Sequence, residues 1–164
     1  GPDKPGIVSR VTATIHECGG NLEDSTMAVL GGDFALIVIF SAEGGAMEKI
    51  KEGCLALEAE LEINTYFKQA SEKQSGAGGS EHMFVATGHD QPGIVSRLAQ
   101  VLAKYGANVI SMDTSLVNMA YQGTPMFRVE GKLSLPDESD PIALRDKLED
   151  VCEDMELLLE FEPG

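Results

Sequence analysis

Apolar side chains follow a helical period in four stretches of the chain. Residues three or four positions apart lie on one face of a helix, so such a stripe predicts an amphipathic helix. The stripes predict helices at residues 7–18, 47–61, 94–105 and 142–152. The clearest stripe consists of Ile94, Leu98, Val101, Leu102 and Tyr105, with Gly106 as the glycine that ends the helix.

Short apolar runs and period-two alternation predict strands between these helices. Phe127, Val129, Leu133 and Leu135 all occupy odd positions, which is typical of a strand with one buried face. Gly31-Gly32-Asp33 predicts a tight hairpin turn. The Gly and Pro residues of segment 118–125 predict a loop. The predicted strands are residues 21–30, 34–40, 63–67, 83–87, 108–117, 126–135 and 157–161.

Two helix starts carry local signals. Asp90 is predicted to be the N-cap of the third helix, with Pro92 in its first turn, where the missing N–H is not needed. Ser139-Asp140-Pro141 predicts the start of the fourth helix in the same way.

One ten-residue segment occurs twice. Residues 1–10 return as residues 88–97 with eight of ten positions identical, at an offset of 87. The same offset aligns Gly19 with Gly106 and Asn21 with Asn108. A shared offset over such a length indicates two copies of one unit. We therefore predict one domain at residues 1–70, a flexible linker at 71–81, and a second domain at 82–164.

The element order of the second copy is β-α-β-β-α-β, which indicates an α+β fold. The first copy follows the same order but lacks a counterpart of the strand at 83–87 ahead of Gly1. In such a sheet the first strand lies in the middle, so without it backbone groups stay unpaired in the interior. We predict a further segment upstream of Gly1, or another segment that fills the position.

Charge and composition limit the classes of function that the protein can have. The formal net charge is −15 and the twelve Lys and Arg residues form no cluster, which argues against direct binding of nucleic acid. Cys18, Cys54 and Cys152 lack metal-ligand spacing and are predicted to be small buried side chains. There is no apolar run long enough for a membrane span and no signal peptide. We expect a cytoplasmic protein with no metal and no cofactor.

The repeated G-x-D-x-P-G-I-V element, a helix of about four turns and then G-x-N at a strand start resemble the ACT domain. Two linked copies, and the Gly123-Thr124-Pro125 end of the longer loop, are most similar to the group of glycine cleavage system transcriptional repressors. The resemblance implies two ferredoxin-like βαββαβ domains with antiparallel sheets and helices on one face. It also implies binding of small metabolites, mostly amino acids, in a regulatory protein.

Physical chemistry supports a ligand at the repeated element. A Pro-Gly turn at a helix start leaves N–H groups free at the positive end of the helix dipole, which favours a carboxylate. An aspartate can receive an ammonium group, and an asparagine can donate and accept. In family members with a known effector, the Asp position and the Asn of G-x-N help to bind it, often across a domain interface. The predicted ligand-binding residues are Asp3, Gly6, Ile7, Asn21, His89, Asp90, Gly93, Ile94 and Asn108.

A purely structural interpretation explains the same residues. Asp as N-cap, Pro in a first turn, Gly in a turn and Asn after a Gly are ordinary structural choices. His89 stands where the first copy has Pro2, so the two sites cannot be equivalent, and an exposed loop histidine is the favoured explanation over a ligand contact. The acidic Asp3 and Asp90 would repel a ligand carboxylate and attract its ammonium group.

Catalysis has no support in the sequence, because none of the common catalytic or nucleotide-binding motifs is present. We therefore expect a protein that is not an enzyme but an amino-acid sensor that alters the binding of a protein partner, such as a transcription regulator or a metabolic enzyme. The resemblance favours glycine or serine as the ligand, and open strand edges favour a homodimer. The alternatives are a structural oligomerisation module without ligand and a detached regulatory part of a metabolic enzyme.

Overall fold

The structure is a computed structural model that describes residues 1–70, 79–118 and 125–163. The chain divides into two compact units, Gly1–Glu72 and Lys73–Gly164. Both combine helices with antiparallel strands, as the α+β prediction requires. Among the described residues, no helix is long and apolar enough to cross a membrane.

The second unit has the predicted β-α-β-β-α-β order. Its strands are β3 (Gly79–His89), β4 (Asn108–Asn118), β5 (Pro125–Pro136) and β6 (Leu157–Pro163). They form one antiparallel sheet in the order β4-β5-β3-β6. The long central strands β3 and β5 pair along their whole length, so the unit has a continuous ladder. Its helices are α3 (Ile94–Lys104) and α4 (Pro141–Asp154).

The core of the second unit lies between one sheet face and the two helices. Alternate residues of β3 and β5 point into it, and the apolar stripes of α3 and α4 cover them. Asp140 caps α4, because its carboxylate accepts from the backbone N–H groups of Ile142 and Ala143. The fully buried side chains include Phe84, Leu98, Val129, Leu133, Leu135, Leu144 and Leu148.

The first unit contains two helices and one hairpin. The predicted turn at Gly31-Gly32 is confirmed, and it joins two strands that pair from Gly20–Ala42 to Leu30–Asp33. Ile7, Ile15, Ile50 and Cys54 are buried between the helices and the hairpin. Its elements are α1 (Ile7–Glu17), β1 (Gly20–Leu30), β2 (Asp33–Ala42) and α2 (Ala46–Leu61).

The predicted strand at residues 63–67 is not formed. The segment has no regular secondary structure, although Ile63 is buried, and no strand lies between it and β2 in the described part of the first unit. A strand requires a neighbour for its backbone hydrogen bonds. In the second unit, the counterpart of this segment is β6, which has such a neighbour because it pairs with β3.

The end of the predicted linker belongs to a strand. Gly79 pairs with Pro136 and Ser80 with Leu135, so β3 begins four residues before the predicted strand and includes the last part of the predicted linker. Residues 71–78 lie outside the described residues. The same is true of residues 119–124 in the predicted loop, whose flanking residues Asn118 and Pro125 belong to β4 and β5.

The edge strands β1 and β4 each contain an irregularity in their pairing. In β1 it falls between Leu22 and Asp24, and in β4 between Val109 and Ser111. These positions are related by the repeat offset of 87. The two units therefore share the bulge as well as the order of their elements.

Candidate ligand-binding site

Each first helix begins after a Pro-Gly turn, and the glycine is its N-cap. Gly6 has φ 94° and Gly93 has φ 94°, a left-handed conformation that residues with a Cβ atom rarely adopt. The predicted cap at Asp90 is therefore wrong, because Asp90 precedes the first helical residue by four positions and its side chain makes no capping bond. Pro92 likewise lies in the turn before the helix.

Both helix starts are open to the surroundings. A Cβ atom built on Gly6 or on Gly93 would meet no other atom within 4 Å. No side chain caps the first turn of either helix, so its N–H groups have no side-chain acceptor. The helix dipole adds a partial positive charge at the same place. Each loop thus provides donors for a carboxylate and the space to reach them.

Asp3 and Asp90 supply a negative charge near these helix starts. Both are exposed, and neither side chain makes a hydrogen bond within the described residues. Asp3 is fixed through its backbone, since its N–H donates to the Gly32 carbonyl at 2.9 Å. The carboxylate of each aspartate lies four residues ahead of the first helical residue, and together with the N–H groups of the first turn it provides charges complementary to those of an amino-acid zwitterion.

Each loop is tied to the turn that follows the second helix of its unit. In the second unit, the Gln91 side-chain amide donates to the Met155 carbonyl at 2.6 Å. In the first unit, Lys4 stands at the equivalent position and its Nζ lies 2.7 Å from a Glu62 carboxylate oxygen. This hydrogen bond holds the pKa of the Glu62 carboxyl below its ordinary value. The sequence did not indicate this tether, because Lys4 and Gln91 differ in chemistry and neither residue has a partner nearby in the sequence.

A second contact fixes the direction of each first helix. Arg10 donates to both carboxylate oxygens of Glu60, at 2.6 Å and 2.7 Å. In the second unit Arg97 makes the equivalent contact with Asp154 at 3.0 Å. Hydrogen bonding to Arg10 lowers the pKa of Glu60. Because the side chains are largely exposed, these ion pairs position the helices rather than stabilise the fold strongly.

Asn21 and Asn108 lie at the opposite end of the first helices from the Pro-Gly turns. Asn21 is the second residue of β1 and Asn108 the first of β4, and both are exposed. The helix between has 11 residues in each unit, which corresponds to a length of about 16 Å. Within one unit, the asparagine and the aspartate therefore do not form one small site.

The remaining predicted residues differ in their exposure. Ile7 and Ile94 are 1% and 2% exposed and belong to the cores, so only their backbone groups can face a ligand. His89 is exposed and ends β3 opposite Met126. It is therefore the last residue of a strand and not a residue of the predicted ligand loop, and Asp90 follows it in the chain.

A separate polar cleft adjoins Asn21 in the first unit. Its volume is about 490 Å³, and it lies between α1 and the start of β1. Ser9, Thr12, His16 and Asn21 contribute to its lining. The cleft gives the Asn21 side chain polar neighbours from the helix preceding it.

The described residues contain no group of three or more His, Cys, Asp or Glu side chains that could hold a metal ion. Burial raises the pKa of the Cys54 thiol and raises that of Cys152 to about 11. Both thiols are therefore shifted away from the reactive thiolate form.

Comparison with known proteins assigns the family. Residues 1–68 and residues 84–162 each match the ACT domain, so the match extends over most of the chain. The chain belongs to the ACT domain family. The tandem arrangement and the ferredoxin-like fold class are thereby confirmed. The ACT match also includes residues 63–67, where the described structure has no strand.

Three known proteins resemble the whole or most of the chain. The glycine cleavage system transcriptional repressor of Escherichia coli (strain K12) is 26% identical over 112 residues, which are 68% of this chain and 59% of the relative's length. A crystal structure of a protein of unknown identity from Galdieria sulphuraria has a TM-score of 0.75 at 28% identity, covering 100% of this chain and 94% of that one. A protein assigned as a glycine cleavage system transcriptional repressor has a TM-score of 0.71 at 17% identity, with the same coverage, and shows the fold.

One buried polar residue was missed by the sequence interpretation. His82 is 3% exposed, its ring stacks on Phe161 at 5.4 Å, and its Nε2 lies 2.6 Å from the Ser80 hydroxyl. Its Nδ1 has no partner among the described residues. The sequence contained a signal for the burial of His82. If β3 is extended towards its N-terminus, His82 lies on the same face of the strand as the inward-facing Phe84 and Ala86.

Proposed function

We propose that this ACT protein is a non-catalytic regulatory protein that senses a small amino acid. The ligand carboxylate binds the uncapped N–H groups of a first helix, and its ammonium group binds Asp3 or Asp90. The proposal rests on the repeated open helix start, where Gly6 and Gly93 leave space and no side chain caps the helix.

The ligand class follows from the charges at the loops. A net charge of −15 disfavours anions in general, so an anionic group needs local donors such as those of a helix start. The neighbouring aspartate disfavours a simple anion and favours a ligand with an additional positive group. A zwitterion meets both requirements. Glycine and serine are the first ligands to test, because the E. coli relative is named for the glycine cleavage system.

A complete site requires residues from more than one ACT unit. Asn21 and Asn108 lie about a helix length from the aspartate of their own unit. We infer that the loop of one unit is completed by the asparagine of an ACT unit in a second copy of the chain. Binding would then favour one arrangement of ACT units over others, which is the requirement for regulation by a ligand.

The output of this arrangement is the binding of a protein partner. The charge argues against direct contact with nucleic acid, and the E. coli relative carries the name of a transcriptional repressor. We propose that the protein acts in the cytoplasm as a homodimer and modulates a transcription regulator or a metabolic enzyme. A ligand-free oligomerisation module is the second candidate, because the sheet faces expose Ile37 and Leu158 at 68% and 77%.

A thermal-shift screen of the twenty amino acids tests the proposal. A ligand present at one hundred times its dissociation constant stabilises the folded protein by about 2.7 kcal/mol. Acetate and methylamine provide the separate halves of the zwitterion and should give no shift at the same concentration. Asn108→Ala and Asn21→Ala should each reduce the shift if their asparagine completes the site.

Matched controls separate binding from stability. Asn64 is an exposed asparagine outside the proposed site, so Asn64→Ala should leave the ligand shift unchanged. Asp90→Asn should weaken binding of the zwitterion but not the folding of the free protein. If no amino acid shifts the midpoint of the folded protein, sensing is refuted and the oligomerisation module is favoured.

A further inference from the structure

The polar cleft beside Asn21 has a floor that is fixed by the packing of α1 against the start of β1. Gly20 and Ile15 are both buried, and both line this cleft of about 490 Å³. A Cβ atom built on Gly20 would lie 2.8 Å from Cγ2 of Ile15 and 3.0 Å from its carbonyl oxygen. Only a residue without a Cβ atom allows strand and helix to approach so closely. The cleft is therefore held open by the core of the first unit.

One face of α1 provides a polar wall for the cleft. Ser9, Thr12 and His16 follow one another at spacings of three and four, so they lie on one side of the helix. The Thr12 hydroxyl donates to the Val8 carbonyl at 2.8 Å, which leaves its oxygen to act as an acceptor towards the cleft. Ser9 and His16 can each donate and accept. The wall thus offers donors and acceptors side by side.

The second unit does not repeat this wall. At the repeat offset of 87, Ala99 and Ala103 stand where the first unit has Thr12 and His16. The asparagine itself is repeated as Asn108. The two asparagines therefore have the same place in their units but different surroundings on the preceding helix.

The one hydroxyl that both units retain is also used differently. In the second unit, the Gln100 side-chain amide donates to the Ser96 hydroxyl at 3.3 Å. In the first unit Ala13 stands at the position of Gln100 and has no polar side-chain atom with which to engage Ser9. Ser9 is consequently available to a ligand in a way that Ser96 is not.

We propose that the cleft binds the side chain of the ligand and gives the two asparagine sites different specificities. The site that Asn21 completes selects an amino acid with an uncharged side chain that donates and accepts hydrogen bonds, of which serine is the smallest example. The site that Asn108 completes does not make this selection. The inference rests on the proposed function, in which each asparagine completes a site for an amino acid.

The chemistry of the lining supports this ligand class. Among the lining residues that the structure describes there is no Asp, Glu, Lys or Arg. A charged side chain would therefore lose hydration without gaining an opposite charge. An apolar side chain would displace water from Ser9 and Thr12 without replacing its hydrogen bonds. A hydroxyl group can donate to Thr12 and accept from Ser9 or His16 at the same time.

Serine and alanine differ by one hydroxyl group, so the ratio of their dissociation constants measures the contribution of the cleft. Isothermal titration calorimetry gives this ratio in the Asn108→Ala chain, where the Asn21 site remains, and in the Asn21→Ala chain, where the Asn108 site remains. The Asn108→Ala chain should bind serine about two- to tenfold more tightly than alanine. The Asn21→Ala chain should bind the two amino acids about equally.

Substitutions in the wall assign the preference to the cleft. Thr12→Ala combined with His16→Ala gives the first unit the residues of the second. In the Asn108→Ala chain this pair should abolish the preference for serine and leave the affinity for alanine unchanged. Thr12→Ser keeps the hydroxyl oxygen and should keep the preference. Glu17→Ala is the matched control, because Glu17 is exposed on α1 and does not line the cleft.

The outcomes separate this inference from the proposed function. A preference for serine that survives the double substitution, or equal binding of serine and alanine by the Asn108→Ala chain, would overturn the role of the cleft while leaving amino-acid sensing intact. Loss of all binding in the Asn108→Ala chain, with binding kept by the original protein, would overturn it as well. If the original protein binds none of the twenty amino acids, the proposed function fails and the specificity of its sites fails with it.

Discussion

Gly131→Ala should destabilise the second unit, although alanine is normally preferred to glycine in a strand. A Cβ atom at this position would contact Cε1 of Phe84 and lie 2.8 Å from its Cζ. Phe84 is fully buried, and its neighbours Val129 and Leu133 are also fully buried, so the ring has no free space into which it can move. Overpacking of this kind costs roughly 1–3 kcal/mol.

The expected net effect follows from two opposing contributions. Replacing glycine by alanine inside a strand gains about 0.5–1 kcal/mol from the reduced freedom of the unfolded chain. The net loss in the free energy of unfolding should therefore be about 1 kcal/mol, and at most about 2.5 kcal/mol. Phe84→Val alone should also destabilise, because it opens a cavity. In the double variant the new methyl group fills part of that cavity, so the two costs should not add.

Urea unfolding followed by circular dichroism measures the total effect, and amide exchange in β5 assigns it to the second unit. The chain contains no tryptophan, so tryptophan fluorescence cannot report on unfolding. The double-mutant cycle should give a favourable coupling of about 1 kcal/mol or more. The reasoning is refuted if the destabilisations of the two single variants are strictly additive, or if the Gly131→Ala protein is as stable as the original. Either result would show that the Phe84 ring can move away from position 131.

Three further outcomes follow from single contacts. Asp140→Ala should lower the stability of the second unit by about 0.5–2 kcal/mol in urea unfolding, because α4 loses its cap; an unchanged midpoint would contradict the capping role. Glu58 accepts from the N–H and hydroxyl of Thr65, which lowers the pKa of its carboxyl. Its stabilising contribution is present above about pH 4.3 and is lost as the pH falls through the lowered pKa, so Glu58→Gln should flatten the acid side of the stability profile of the first unit. Mass spectrometry after iodoacetamide treatment at pH 8 should show Cys18 labelled before Cys152, since Cys152 is 1% exposed and its pKa is raised to about 11; equal rates would contradict this order.

The parts of the fold predicted from sequence are those decided within one segment. The stripe of α3 and the glycine pair of the first hairpin required no knowledge of distant residues, and both are confirmed. The strand at 63–67 depended on a neighbour that local periodicity cannot report. Asp90 had the side chain of a cap, but the left-handed glycine that follows Pro92 displaced the helix start beyond its reach.

In the candidate site, too, the sequence predicted what is decided within one segment and missed what depends on distant residues. The sequence identified the two Pro-Gly turns and both asparagines, because the repeat aligns them. The helix predicted at residues 7–18 already separated Asp3 from Asn21, and the structure gives that helix as Ile7–Glu17. The tethers Lys4–Glu62 and Gln91–Met155 join residues distant in sequence and differ chemically between the units, so no shared motif indicated them.

The bulge shared by β1 and β4 carries information about the history of the chain. Val109 and Ser111 replace Leu22 and Asp24, so the residues at the bulge have diverged while the backbone irregularity has stayed in place. An irregularity that arose after the duplication would be expected in only one copy. A bulge at the same repeat position in both copies is what duplication of a unit that already carried it would produce.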